Sequence, residues 1–124
     1  MHNINYIEAK KLTIESYHEF IDEGFSVEQA IPAVFEDLVI SMKKNNKILV
    51  AIIQNLSIIS LKHNFIPDYL LNRLSDLKIN TELNNNEILE YTKDKEELNV
   101  LLKNKYTLDE DENYSKRVDI LLGT

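Results

Sequence analysis

The stretch from residue 48 to residue 61 constrains this chain more than any other. Ile48, Leu49, Val50, Ala51, Ile52, Ile53, Leu56, Ile58, Ile59 and Leu61 cover nearly every face of a helix. Such a helix has to be surrounded by other elements, so the segment predicts the buried centre of a fold. Its β-branched residues also suit a strand. The segment is too long for a typical strand and no hairpin turn flanks it, so helix is the expected state. The unbroken apolar run 48–53 is also far shorter than the roughly 20 residues that span a bilayer. Gln54 and Asn55 inside the segment are expected to satisfy hydrogen bonds in or near the core.

Turn chemistry points the same way. Only two glycines and two prolines occur in 124 residues, whereas strand-rich folds need many special turn positions. Ile7, Ile14, Tyr17 and Ile21 recur at helical spacing over residues 5–23, with Leu12 and Phe20 widening the stripe. Gly24 is placed to close that helix in the left-handed conformation, with Phe25 packing back over its end. Ser26-Val27-Glu28-Gln29 forms a capping box. Behind it Val27, Ala30, Ile31, Val34, Phe35, Leu38, Val39 and Met42 follow three-four spacing. Pro32 lies near enough to this helix start to be tolerated. Asn64 and Pro67 mark the next boundary, before a helix over 67–77 carrying Tyr69, Leu70, Leu71, Leu74 and Leu77. Asn84-Asn85-Asn86 is a loop or a cap. A short helix over 87–92 is expected after it, then a second capping box at Asp94-Lys95-Glu96-Glu97 opening a further helix. The run from Thr107 to Glu110 has the same form, before Val118, Leu121 and Leu122. The expectation is an all-α chain: one domain over residues 1–124, a bundle of about five to seven helices around a buried central one.

Charge narrows the partners. With 21 acids against 14 bases the formal net charge is −7, which repels a phosphate backbone and disfavours nucleic acid. The same charge speeds encounter with a basic protein, and it also serves solubility. There are no cysteines, which removes thiolate and disulfide chemistry and fits a reducing compartment. The polar stretch 1–8 lacks the pattern of a secretory signal, so a cytoplasmic protein without membrane contact is expected.

Candidate chemistry is sparse. Glu15-Ser16-Tyr17-His18 has the Glu-x-x-His spacing of di-iron bundles, but no second copy exists. The acidic run Asp109-Glu110-Asp111-Glu112 begins like a calcium loop. Tyr114 stands where that loop needs glycine, and Ile120 where it needs a bidentate glutamate. Two glycines cannot build a phosphate loop. No catalytic residue, metal ligand or cofactor site is assigned.

The segment Tyr17-His18-Glu19-Phe20-Ile21-Asp22-Glu23-Gly24-Phe25-Ser26-Val27-Glu28-Gln29-Ala30-Ile31 resembles the opening of an all-helical immunity-protein family of bacterial polymorphic toxin systems. The likeness lies in a Glu-Phe helix end, a Gly-aromatic-Ser turn and a Glu-x-Ala-Ile helix start. It continues through an apolar helix over 34–42, the Ala51 to Gln54 stretch, and a closing Lys116-Arg117-Val118 segment leading to Leu122. It departs after the central helix, where residues 58–64 carry no glycine. The resemblance implies an inhibitor that binds a cognate toxin domain, and a basic nuclease would suit an acidic inhibitor. The expected contact residues are Glu87, Glu90, Asp109, Glu110, Asp111 and Glu112. The chain would act as a monomer or weak homodimer. The rival expectations are a cytoplasmic adaptor with another protein partner and, less favoured, a metal-dependent enzyme.

Overall fold

The computed structural model describes residues 5–41, 46–76 and 83–108. Among them are five helices and no strand: α1 (Tyr6–Asp22), α2 (Val27–Ser41), α3 (Asn46–Lys62), α4 (Asp68–Asp76) and α5 (Asn85–Leu108). The all-α expectation holds, with α3 at the centre: it packs against each of the other four helices.

The central helix is buried along almost its whole length, with only Leu49 and Ile59 half-buried between residues 48 and 61. Burying each such aliphatic side chain contributes about 1.5–3 kcal/mol. Its small polar residues are satisfied within the helix. Asn55 Nδ2 donates to the Ala51 carbonyl at 2.8 Å, Ser57 Oγ to Ile53 at 2.7 Å and Ser60 Oγ to Leu56 at 2.8 Å. This back-bonding lets a hydroxyl or amide enter an apolar layer without a partner from another helix. Gln54 differs: it is 3% exposed, and its Oε1 meets no donor among the described residues.

Both expected helix stops form. Gly24 has φ +101°; its amide donates to the Ile21 carbonyl, and the Phe25 amide to Phe20, each at 3.0 Å. That pair of bonds is a Schellman close, and the Phe20 and Phe25 rings meet across it at a tilt, their centroids 5.0 Å apart. At the end of α3, Asn64 takes the glycine's role with φ 65°. The Asn64 amide donates to Leu61 at 3.0 Å and the Phe65 amide to Ser60 at 3.2 Å. The Ser26–Gln29 capping box closes reciprocally, with both bonds at 3.1 Å. Pro32 lies deeper in α2 than the unpaired first turn, and the helix runs through it. On α2, Phe35 takes the Tyr69 ring edge-on at 5.3 Å and the Arg73 guanidinium over its face at 5.0 Å, tying α4 to the body.

The C-terminal half corrects the sequence reading. No break separates a helix over 87–92 from one opening at Asp94; α5 is continuous from Asn85 to Leu108. Its cap is the first asparagine of the run. The Asn84 amide donates to Glu87 Oε1 at 3.1 Å, and the Glu87 amide to Asn84 Oδ1 at 2.9 Å. Asp94 sits in the helix interior, 4% exposed, and caps nothing. Leu77, Asp109 and the residues beyond it lie outside the described residues, as do the continuation of the Thr107 box and the closing basic-then-leucine segment.

Candidate functional site

The long helix α5 has three differently built faces, and the candidate sites follow from them. Its inward stripe is formed by Glu87, Asp94, Leu98 and Leu102, all buried, with Tyr91 and Leu101 half-buried beside them. The stripe is apolar toward its C-terminal end and acidic toward its start. The acids are matched by the start of α1. Tyr6 donates its backbone amide to Glu87 Oε2 at 2.9 Å and its phenol to Asp94 Oδ2 at 2.7 Å. Lys10 Nζ lies 2.8 Å from both Asp94 Oδ1 and Glu90 Oε2. Lys47 Nζ approaches Glu87 Oε1 at 3.5 Å from α3. The Tyr6 ring, fully buried, meets Tyr91 edge-on at 5.9 Å.

Protonation follows from these contacts. Burial first, then the Asp94 carboxylate, pushes the Tyr6 phenol far above its ordinary value. Burial alone would lower Lys10, but its hydrogen bonds to Asp94 and Glu90 outweigh that and raise it. For Glu87, burial raises the carboxyl, and the Tyr6 and Asn84 amides with Lys47 more than reverse it, leaving a lowered value. The hydrogen bond from Lys10 holds Glu90 low.

These facts revise the expected contact set. Glu87 is 1% exposed and spends its carboxylate on the α5 cap, the α1 start and Lys47, so it is withdrawn from the surface. Glu90 keeps a third of its side chain in solvent while paired with Lys10. Asp109, Glu110, Asp111 and Glu112 lie outside the described residues.

The outward face of α5 is apolar where solvent would favour polar residues. Leu89 is 70% exposed and Val100 58%, with the exposed Lys93 and Glu96 between them at helical spacing; Ile88 is 46% exposed beside them. From Leu89 to Val100 the helix advances about 16 Å. Apolar anchors interleaved with charge, on one rigid helix, are the material of a protein interface. The sequence pattern places Ile88 and Leu89 on a helix but does not mark Leu89 and Val100 as solvent-facing, because an aliphatic residue at helical spacing fits a core equally well.

The third face, with α1 and α3, lines a half-open cavity of about 430 Å³. Its deep part is formed by the buried Tyr17, Asn55, Ile58 and Asp94, and its walls by the half-buried Ile14 and Ile59. The exposed His18, Lys62, His63, Lys93 and Glu97 surround its mouth. His18 and His63, unrelated in sequence, are brought together here because α1 and α3 are neighbours and the Schellman turn ends α3 at His63. Lys62 pairs with Glu97 at 3.3 Å across the mouth. Glu15 and His18, the di-iron-like pair, are both exposed, and among the described residues no three His, Asp or Glu side chains gather to hold a metal. Among the same residues, no helix is long and apolar enough to cross a membrane. Compared with known proteins, the chain matches no family model, no curated sequence and no solved structure.

Proposed function

We propose that this chain is a protein-binding inhibitor, an immunity protein that neutralises a basic toxin domain by docking it on the outward face of α5. The observation that carries the reading is the exposure of Leu89 and Val100 on a helix whose other side is fixed to α1 and α3. A rigid helix with solvent-facing aliphatic side chains supplies anchors at low entropic cost. Between those anchors Lys93 and Glu96 balance in charge, and beyond them come the acids of the run from Asp109 to Glu112, which follows α5 in sequence. Together with the net charge of −7 they favour a cationic partner and rapid encounter. The resemblance of residues 17–31 to immunity proteins supports the same class, and a nuclease would present the required basic surface.

Affinity capture from the source cells with tagged protein, read by mass spectrometry, tests the proposal. A large protein ending in a basic domain is the expected prey. Leu89→Asp combined with Val100→Asp should weaken its capture by at least about tenfold, the effect of losing central anchors. A variant away from α5, Glu36→Gln with Asp68→Asn, should leave capture intact. Recovery of regulatory or metabolic proteins alone would favour the adaptor reading. Undiminished capture of the toxin by the α5 double variant would move the interface off this helix.

A further inference from the structure

We infer that the outward face of α5 is covered, when no other partner is bound, by a second copy of this chain, the two helices lying antiparallel about a two-fold axis. The inference concerns the face on which toxin docking is proposed but rests on no property of a toxin. Along that face Asn86, Leu89, Lys93, Glu96, Val100 and Lys103 are all exposed. They recur at intervals of three and four residues, the spacing of a seam between paired helices. From Asn86 to Lys103 the seam runs about 26 Å.

The order of these residues is its own complement when reversed. Turned end for end about a point between Asp94 and Lys95, Leu89 of one copy meets Val100 of the other, Lys93 meets Glu96, and Asn86 meets Lys103. Each pairing occurs twice, as an isologous contact requires. The aliphatic pairs thus flank a central layer of two opposite-charge pairs. A parallel arrangement would set Lys93 against Lys93 and Glu96 against Glu96, which repel. Charge therefore selects the antiparallel register, as a polar residue in an apolar seam does in coiled coils. Other acids near Lys93 are already engaged. Glu90, on which Lys93 acts electrostatically, is bound by Lys10 at 2.8 Å, and Glu97 is bound by Lys62 at 3.3 Å. One helix face of this length falls at the low end of specific interfaces, below about 1,200 Å² in total, where association is weak. Such a pair shields Leu89 and Val100 from solvent and yields to a tighter partner for the same face.

Sedimentation equilibrium of the full chain between about 10 μM and about 1 mM should show the average mass rising from one chain toward two. Lys93→Glu and Glu96→Lys, each at an exposed site, should keep their thermal midpoints and each weaken self-association by at least about fivefold. Combining them in one chain, or mixing the two single variants, should restore it. The chain has no cysteine, so introduced thiols report the register. Under mild oxidation Leu89→Cys should cross-link to Val100→Cys and neither to itself. In the antiparallel pair the two copies of position 89 stand about 16 Å apart along the seam, beyond the reach of a disulfide. A chain that stays monomeric to about 1 mM would overturn the inference. So would self-linking of Leu89→Cys, or a combined charge swap that fails to restore association. Toxin capture that depends on Leu89 and Val100 in a strictly monomeric chain would sink the dimer alone, whereas a dimer that captures no toxin would sink the docking proposal alone.

Discussion

Replacing Tyr6 with phenylalanine removes one oxygen from a fully buried ring and tests the join between the first and last helices. The phenol donates at 2.7 Å to Asp94, which is itself 4% exposed and keeps Lys10 as its other partner. A hydrogen bond to a charged acceptor contributes about 1.5–3 kcal/mol net, so Tyr6→Phe should cost about 2 kcal/mol at pH 7. The same contact gives the cost a pH signature. The folded phenol has a raised value, so its contribution is complete below the unfolded value of about 10 and falls as the pH rises beyond it. At pH 11 the unfolded chain has released the phenolic proton while the folded chain retains it, which removes about 1.4 kcal/mol from the wild type and nothing from the variant. The difference between the two proteins should shrink from about 2 to about 0.6 kcal/mol between pH 7 and pH 11. Urea unfolding followed by circular dichroism at both pH values measures it, and the subtraction cancels other alkaline titrations, Lys10 among them, to first order. A difference that stays constant across this range would refute the reasoning. So would a neutral substitution at pH 7.

Glu87→Ala should cost about 3 kcal/mol, because it strands the Tyr6 and Asn84 amides and leaves Lys47 without this partner, while the Asn84 side chain still caps α5; the urea midpoint reports it. The Glu87 carboxyl is lowered, so its stabilisation is present above the ordinary value of 4.5 and is lost as the pH falls through the folded value. Glu87→Gln should accordingly flatten the acid limb of the stability profile, and an unaltered limb would show that the carboxylate is not the group that titrates there. Gly24→Ala should cost about 1–2 kcal/mol from backbone strain alone, since a Cβ at φ +101° meets no heavy atom within 4 Å; a thermal midpoint equal to wild type would contradict that.

Elements whose causes are local were legible in the sequence. The capping box at Ser26, the glycine stop at Gly24, the asparagine stop at Asn64 and the all-round apolar α3 each depend on residues within one or two turns of themselves. The errors came where the cause lies far along the chain. Asp94 resembled a helix start because a buried aspartate inside a helix is disfavoured until something neutralises it. Its partners, Tyr6 and Lys10, stand 88 and 84 residues away. Glu87 was assigned to the surface for the same reason. Its burial depends on the Tyr6 amide, 81 residues distant, although Asn84-x-x-Glu87 was available as a capping box and would have started α5 correctly. The cavity was hidden too, because His18 and His63 share neither a helix nor a motif. Only the packing of α1 on α3 makes them neighbours.

The clasp between the start of α1 and the start of α5 also orders events in time. Translation delivers α1 first, and the hydrogen bonds that fasten its opening turn to Glu87 and Asp94 wait for carboxylates made more than 80 residues later. During that interval Lys10 has neither of its anionic partners, and Tyr6 lacks both acceptors. Contacts of such sequence separation close late and slowly. An emerging chain therefore completes its native structure only once α5 has been synthesised, and a chain stalled before Asp94 would lack the acceptor of the Tyr6 phenol and one partner of Lys10.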